Sequence, residues 1–344
     1  MFQRKGGNVS KNRLISGKII TGYLERFPRT ASKTLARKIY NENKAAFSSI
    51  EAVRSGVRYY RGMHGQKRRS ELADRRFILP APTKGNPYSL PQTDAKEYVP
   101  YHIPSELKNG LIIADTHVPY HDTYAITLTL QYVKENADID FLLINGDFMD
   151  AYQLSRFVKD PRQRHFVEEL KVAEHMIAAL RQQFPDAKIV YKEGNHDQRL
   201  DDYLKVKAPE LFGLEEVELR NLLHLADYGI DYVGEKRIVM CGKLPIIHGH
   251  EMWTTLTNPV NPARGLFLKA KHTSLCAHHH QVSMHNEDDI MGSQTACWSM
   301  GCLCELTPQY MPINKWGHGF VLITKEPDGE FELENKRIWN GKVI

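Results

Sequence analysis

The amino-acid sequence predicts a mixed α/β body, in which a largely parallel sheet carries the functional groups, preceded by a small basic helical segment. Three observations carry this expectation. Apolar runs at 111–114, 141–145 and 187–191 alternate with helix-periodic stretches, the β-α-β-α-β order of a parallel sheet. Each run stops at a carboxylate, an imidazole or a carboxamide, so polar groups gather where strands end. Charge is unevenly divided: residues 1–80 hold 19 Lys and Arg against 5 Asp and Glu, a net +14, and the remainder nets −9. A basic head on an acidic body is the pattern of a polyanion-binding module joined to something else.

At 344 residues the chain exceeds the usual single-domain size. The expected division is a basic helical segment at 1–76, a proline-rich linker at 77–109 and the α/β body at 110–344. Hydrophobic residues make up 42% and charged residues 25%, ordinary values for a globular protein. No apolar run reaches the roughly 18 residues that suggest a membrane span, and no apolar core follows the basic N-terminus as a signal peptide requires. No membrane partner and a cytoplasmic location are therefore expected. Five cysteines without CxxC pairs read as reduced, buried thiols. Cys302 and Cys304, two apart, would share a strand face and give a weak metal-binding signal.

In the head, three helices are expected. The first, over 12–27, repeats Ile20, Leu24 and Phe27 and stops before Pro28, because a residue preceding proline leaves the helical region. The second starts with Ser32 as N-cap and carries Leu35, Ile39 and Tyr40. The third, opened by Ser48 or Ser49, places Ile50, Val53, Val57 and Tyr60 on one stripe and ends near Gly62. On it Arg54, Arg58 and Arg61 stand at i, i+4 and i+7 and are expected to line one polar face, prolonged by Lys67, Arg68 and Arg69. Such a face can follow a phosphate backbone, which makes DNA or RNA the expected partner; the bland alternative is a solvated helix face. A helix-turn-helix-like bundle remains open. Prolines at 80, 82, 87, 91, 100 and 104 then interrupt any helical period.

The body opens with the strand that ends in Asp115-Thr116-His117, followed by a helix over about 124–135. The second strand leads to Gly146-Asp147-Phe148-Met149-Asp150, and a long helix with Phe166, Leu170, Ile177 and Leu180 on one face precedes the third. That strand delivers Gly194-Asn195-His196-Asp197, with Gly194 expected as the turn. A fourth strand at 245–247 ends in His248-Gly249-His250, and Cys276-Ala277-His278-His279-His280 comes later. Each group alone is a weak signal. Together, five loops supply the nitrogen and oxygen donors that borderline divalent metals prefer.

These five blocks resemble the calcineurin-like metallophosphoesterase superfamily, whose pattern is D-x-H, GD-x-x-D, GNH[D/E], H and GH-x-H in that order. Ala277 departs from it, standing where the family's last glycine usually lies. The wording of 115–122, DTHVPYHD, and of Ser155-Arg156-Phe157 is most similar to phage and prophage members with a basic N-terminal segment. The resemblance implies a four-layer αββα sandwich of two mixed sheets, and the C-terminal hairpin signal Pro327-Asp328-Gly329 between apolar runs agrees with it.

By the same resemblance, Asp115, His117, Asp147 and His280 would hold one divalent cation. Asp147, Asn195, His248 and His278 would hold a second, with Asp147 bridging and His248 preferred over His250. Manganese is the first expectation; iron, zinc, cobalt or nickel would also suit the donors. The implied chemistry is attack of an activated hydroxide on phosphorus. His196 would serve the leaving group, oriented by Asp150 or Asp197, and Arg156, Arg199 and His121 are candidates for gripping the substrate phosphate. Three functions follow: a phosphodiesterase or nuclease acting on DNA or RNA, a phosphomonoesterase for phosphoprotein or nucleotide, and a nucleic-acid-binding or assembly protein with a relic metal site.

Overall fold

The structure is a computed structural model that describes residues 8–344 apart from 73, 79–87, 89, 92, 161, 163–164 and 253–259; the side chains of 8–14 and 66 are also outside it. The basic residues 1–7 and residues 79–87, 89 and 92 of the expected linker lie outside the described residues. The chain forms two compact units, 1–96 and 97–344.

The first unit contains α1 (Asn8–Arg26), α2 (Ser32–Glu42), α3 (Ile50–Tyr60) and the short α4 (Gln66–Ser70). Ile20, Leu24, Leu35, Ile39, Val53 and Val57 meet in a common core, as their helical spacing requires. Ser49 caps α3, its Oγ accepting from the Ala52 N–H at 3.1 Å. Ser32 does not cap α2; Ala31 holds that position and Ser32 is the first helical residue.

Arg61 is a correction to the expected basic face. It is the residue that ends α3, where the helical spacing lapses, and it is only 2% exposed. Its guanidinium donates to Ser32 Oγ at 2.9 Å and to the Pro28 carbonyl at 3.0 Å, stapling the α1–α2 turn. Arg54 is partly covered and pairs with Glu51 at 3.2 Å. Arg58, Lys67 and Arg68 are exposed, and Arg69 is half-buried.

The second unit runs β1 (Tyr101–His102), β2 (Asn109–Ile113), α5 (Thr123–Asn136), β3 (Phe141–Asn145), α6 (Phe166–Gln183), β4 (Lys188–Lys192), α7 (Arg199–Lys207), α8 (Leu219–Leu222) and β5 (Ile230–Val233). It continues through β6 (Val239–Cys241), β7 (Leu244–Ile246), α9 (Pro262–Ala270), β8 (Ser274–Cys276), β9 (Ser283–Asp288), β10 (Gln294–Ser299), β11 (His318–Lys325), β12 (Phe331–Trp339) and β13 (Lys342–Val343). Two mixed sheets result, ordered β13-β12-β11-β2-β3-β4-β5 and β1-β6-β7-β8-β10-β9. The expected C-terminal hairpin is the β11–β12 pair, closing with Lys325 opposite Phe331. The strand expected at 245–247 is β7, but it lies in the second sheet; the fourth parallel strand beside β4 is β5.

Period-two alternation sorts the layers. Leu111, Ile113, Leu142, Ile144, Ile189 and Tyr191 pack against residues of α5, α6, α7 and α8. Their neighbours Ile112, Phe141, Leu143 and Val190 face Val239, Leu244, Ile246 and Leu275 of the other sheet. Beyond that sheet, Ala263 and Leu266 of α9 cover Cys276 and Cys297. The body is the expected αββα sandwich, and β2, β3 and β4 end side by side at one edge of it. Among the described residues no helix is long and apolar enough to cross a membrane.

Candidate metal centre

The loops after β2 and β3 are sewn together by backbone: the Asp115 N–H donates to the Gly146 carbonyl at 3.1 Å, His117 to Asp147 at 3.0 Å and Val118 to Phe148 at 2.8 Å. Gly146 has φ +86°, and a Cβ on it would lie 2.4 Å from His248 Nδ1. Gly194 is needed for a different reason than the expected turn. Its φ is not positive, but a Cβ there would stand 2.2 Å from both Asp147 N and Asp147 Oδ1, so only glycine lets the 194–197 loop lie against Asp147.

Asp147 is the centre of the cluster. It is 1% exposed, and its Oδ2 lies 3.2 Å from His248 Nε2, 3.8 Å from His117 Nε2 and 3.9 Å from His196 Nε2. Its Oδ1 accepts the His196 N–H at 2.8 Å. Asp115 Oδ1 approaches His280 Nε2 at 3.3 Å and His248 Nε2 at 3.9 Å, while its Oδ2 accepts the His278 N–H at 3.0 Å. His117 Nε2 and His280 Nε2 are 3.3 Å apart, and the His248 and His278 rings are 5.2 Å apart. The sequence-expected Asp115, His117, Asp147, His248, His278 and His280 therefore converge.

Burial disfavours charge on Asp147, yet the imidazoles of His248, His196 and His117 hold its carboxyl well below the usual range. In return His248 is pushed up to about 9, because Asp147 and Asp115 outweigh its burial, and Asp115 raises buried His280 to about 10. His278 moves the other way, down to about 3, through burial and the nearby His248.

Asn195 lies in the loop between Gly194 and His196, and its buried Oδ1 has no hydrogen-bond partner in the structure. His196 Nδ1 contacts the Asp150 carbonyl and Asp150 Oδ1, each at 3.1 Å, while Arg199 donates to His196 Nε2 at 3.0 Å and to the Asp150 carbonyl at 2.7 Å. A guanidinium only donates, so in this arrangement His196 carries its proton on Nδ1. Asp150 Oδ1 also takes His117 Nδ1 at 3.0 Å, so one carboxylate orients two imidazoles.

Asp197 does not touch the His196 side chain. Its oxygens accept from Tyr191 Oη at 2.7 Å, the Gly194 N–H at 2.8 Å and the Met149 N–H at 3.2 Å, which makes it a buried clamp between loops. Of the three expected phosphate-gripping residues Arg199 contacts the cluster directly, through His196 and Asp150. Arg156 is exposed, its guanidinium 5.4 Å from the Phe157 ring centre, and half-buried His121 bridges to Cys304 through backbone. His250 lies beside Glu251 at 3.6 Å, and burial brings its pKa down to about 4. Ala277 is accommodated where glycine is usual: its methyl is buried in the inter-sheet core and its φ is not positive.

Two participants carried little or no sequence signal. Cys304 lies with His117 and His280 in one group of potential donors. Glu251 accepts the His248 N–H at 3.0 Å and the Gly249 N–H at 2.7 Å and is ion-paired with fully buried Lys192.

The donors fit a pair of divalent cations. His117, Asp147 and His196 form one group with ligand atoms within 4.8 Å of one another, and Asp147, His248 and His278 form another, so Asp147 is common to both. Asp115 Oδ1 and His248 Nε2 are buried there without hydrogen-bond partners, as is Asn195 Oδ1 in the adjoining loop, and a cation would satisfy such atoms.

A strand-end cluster of this kind on an αββα sandwich defines a metal-dependent phosphoester hydrolase, and the chain belongs to the calcineurin-like phosphoesterase family, whose profile matches residues 111–303. It is similar to the Gene 54 protein of Mycobacterium phage L5, 26% identical over 230 residues that span 63% of this chain and 89% of that protein. The Gene 54 protein of Mycobacterium phage D29 is related to the same extent.

Proposed function

We propose that the chain is a phosphodiesterase or nuclease that cleaves the backbone of DNA or RNA. Asp115, His117, Asp147 and His280 would hold one cation, and Asp147, Asn195, His248 and His278 the other, with manganese the proposed metal. Bound there, the cations supply Lewis acidity toward the phosphoryl oxygens and bring the pKa of a coordinated water toward neutrality.

The protein's own groups do the rest. Asp147 keeps the two donor sets together. Asp150 fixes the planes of His117 and His196, and Asp197 locks the loop that carries Asn195 and His196. Arg199 places a permanent positive charge beside His196 Nε2, where it can neutralise charge on a leaving oxygen.

The observation that carries the nucleic-acid half is the net +14 of residues 1–80, with Arg58, Lys67 and Arg68 exposed. The test is hydrolysis by manganese-loaded protein of bis(p-nitrophenyl) phosphate, p-nitrophenyl phosphate, DNA and RNA. Turnover of the diester and of a nucleic acid, abolished in Asp147→Asn, is expected; turnover of the monoester alone refutes the proposal. Changing Arg58, Lys67 and Arg68 together to Gln should flatten the salt dependence of nucleic-acid binding by up to about three phosphate contacts. An unchanged slope removes this face from the account.

A further inference from the structure

Beside the cluster, and sharing His117 and Asp150 as wall residues, lies a cavity of about 570 Å³. Its volume falls within the roughly 300–1,000 Å³ of small-molecule sites. Tyr120 and Tyr152 form one aromatic pair in its wall, with ring centres 6.4 Å apart, and Tyr310 and Trp316 form another at 6.3 Å. Trp316 also meets the His280 ring at 4.1 Å, so the aromatic wall is continuous with the donors.

The charge of this cavity is unlike that of the head. Among the described residues that line it there is no Lys or Arg. Of its three carboxyl groups Asp150 is engaged by His117, His196 and Arg199 and Asp160 is ion-paired with Arg162 at 2.7 Å, which leaves exposed Glu305 to face an entering group. With Glu305 as its uncompensated charge and no cation in its described lining, the cavity offers no counter-charge to a second phosphate or to the acidic flanks of a phosphopeptide. A flat, uncharged ring with N–H donors at its edge is what the lining suits. The loop bearing Tyr310 and Trp316 is also pre-shaped: Asn314 Nδ2 donates to the Leu306 carbonyl at 2.6 Å and the Met311 carbonyl at 2.9 Å, and its Oδ1 accepts the Trp316 N–H at 2.9 Å. Little loop ordering is then required when a ring enters.

We infer that this cavity is a nucleobase subsite, which stacks the base next to the scissile phosphate between aromatic side chains and hydrogen-bonds its amino edge. The inference rests on the diesterase reading and narrows it. Substrates would be nucleotidyl diesters whose base enters beside His117, with contact to an exocyclic amine favoured by Glu305. Base–aromatic stacking tolerates every base, so recognition here is of a base as such, sharpened by its edge.

The experiment compares two diesters on manganese-loaded full-length protein: the p-nitrophenyl ester of cytidine 5′-monophosphate and methyl p-nitrophenyl phosphate, which has no base. The nucleotide ester should have the higher kcat/KM. Tyr310→Ala should reduce that preference by roughly 5- to 150-fold, the range expected for loss of one stacking partner, with the change in KM. Tyr310→Phe, which keeps the ring, should restore it. If both esters are hydrolysed with equal kcat/KM, or if Tyr310→Ala leaves their ratio unchanged, the subsite is refuted while the diesterase reading stands. If neither ester is hydrolysed, the diesterase reading falls and the subsite with it.

Discussion

The buried pair Lys192–Glu251 underlies the centre, and its removal has a calculable effect. Lys192 is the last residue of β4, with its side chain fully buried, and Glu251 is 8% exposed three residues after His248. Burial opposes charge on Glu251, but Lys192, His250 and His248 hold its carboxyl at about 2. Against an ordinary 4.5, that corresponds to roughly 3 kcal/mol of preference for the charged form. The figure agrees with the approximately 3–5 kcal/mol lost when one member of a buried ion pair is removed.

Lys192→Met and Glu251→Gln are therefore each expected to lower unfolding free energy by about 3 kcal/mol in urea titrations, because each strands the other charge. The double variant should lose much less than the sum. A further readout follows from the Glu251 bonds to the His248 and Gly249 amides: Glu251→Ala should weaken metal binding, since it frees the loop that aims His248. Because the folded pKa is depressed, the pair's contribution is present above about pH 4.5 and is lost as pH falls toward 2. If the two single losses add in the double variant to within about 0.5 kcal/mol, the pair is not coupled and the reasoning fails.

Three further outcomes follow from the geometry. Gly194→Ala should abolish turnover of a diester while the fold persists by circular dichroism, since its Cβ would overlap Asp147; an active variant refutes the close-approach reading. Metal uptake should release protons and strengthen as pH rises toward 9, because His248 and His280, at about 9 and 10 without metal, must deprotonate to bind; calorimetry in buffers of different ionisation enthalpy measures this, and zero release contradicts it. Glu169, fully buried with both oxygens 3.3 Å from the Tyr152 N–H, is pushed up to about 8 by burial and Asp150. Between pH 4.5 and 8 only the folded chain holds that proton, so its contribution falls by roughly 1.4 kcal/mol per pH unit as pH rises. The Glu169→Gln curve should lack that slope, so that the difference between the wild-type and variant stability curves carries it; a difference flat between pH 4.5 and 8 refutes the assignment.

What was legible in the sequence depended on how local the determinant was. The three strands ending at Asp115, Asp147 and Asn195 declared themselves because each is a continuous apolar run, buried on both faces. β5 did not, since Ile230-Asp231-Tyr232-Val233 is short and half polar, and Asp231 is explained by partners distant in sequence: its ion pair with Lys188 at 2.6 Å and the hydrogen bond it accepts from Tyr101 Oη at 2.7 Å. Arg61 defeated the periodic reading because helical spacing ends with the helix. Asp197 looked like an orienter of His196 because they are adjacent in sequence, whereas its oxygens are taken by Tyr191 of β4, Gly194 of its own loop and Met149 of the loop after β3. Cys304 and Trp316 carried too little signal to place, because proximity to His280 is created by the fold.

The backbone itself was beyond any sequence reading, and it bears on why the cluster is ready to bind. Asp115, His117, Asp147, His278 and His280 have φ of 52°, 47°, 50°, 68° and 56°, the left-handed region that costs a non-glycine residue on the order of 1–3 kcal/mol. Such conformations persist only where the surroundings over-determine them. The Asp115 carbonyl accepts Leu303 N–H at 3.2 Å, the His280 carbonyl accepts Gly317 N–H at 2.8 Å and the His248 carbonyl accepts Ala277 N–H at 2.8 Å, so loops from both sheets hold one another in place. With its carboxylates and imidazoles already aimed inward, the site needs little rearrangement when ligands bind. Fragments carrying one loop alone should therefore bind metal weakly, and affinity equal to that of the whole protein in an isolated 111–120 peptide, which keeps Asp115 and His117, would show that the strained frame contributes nothing.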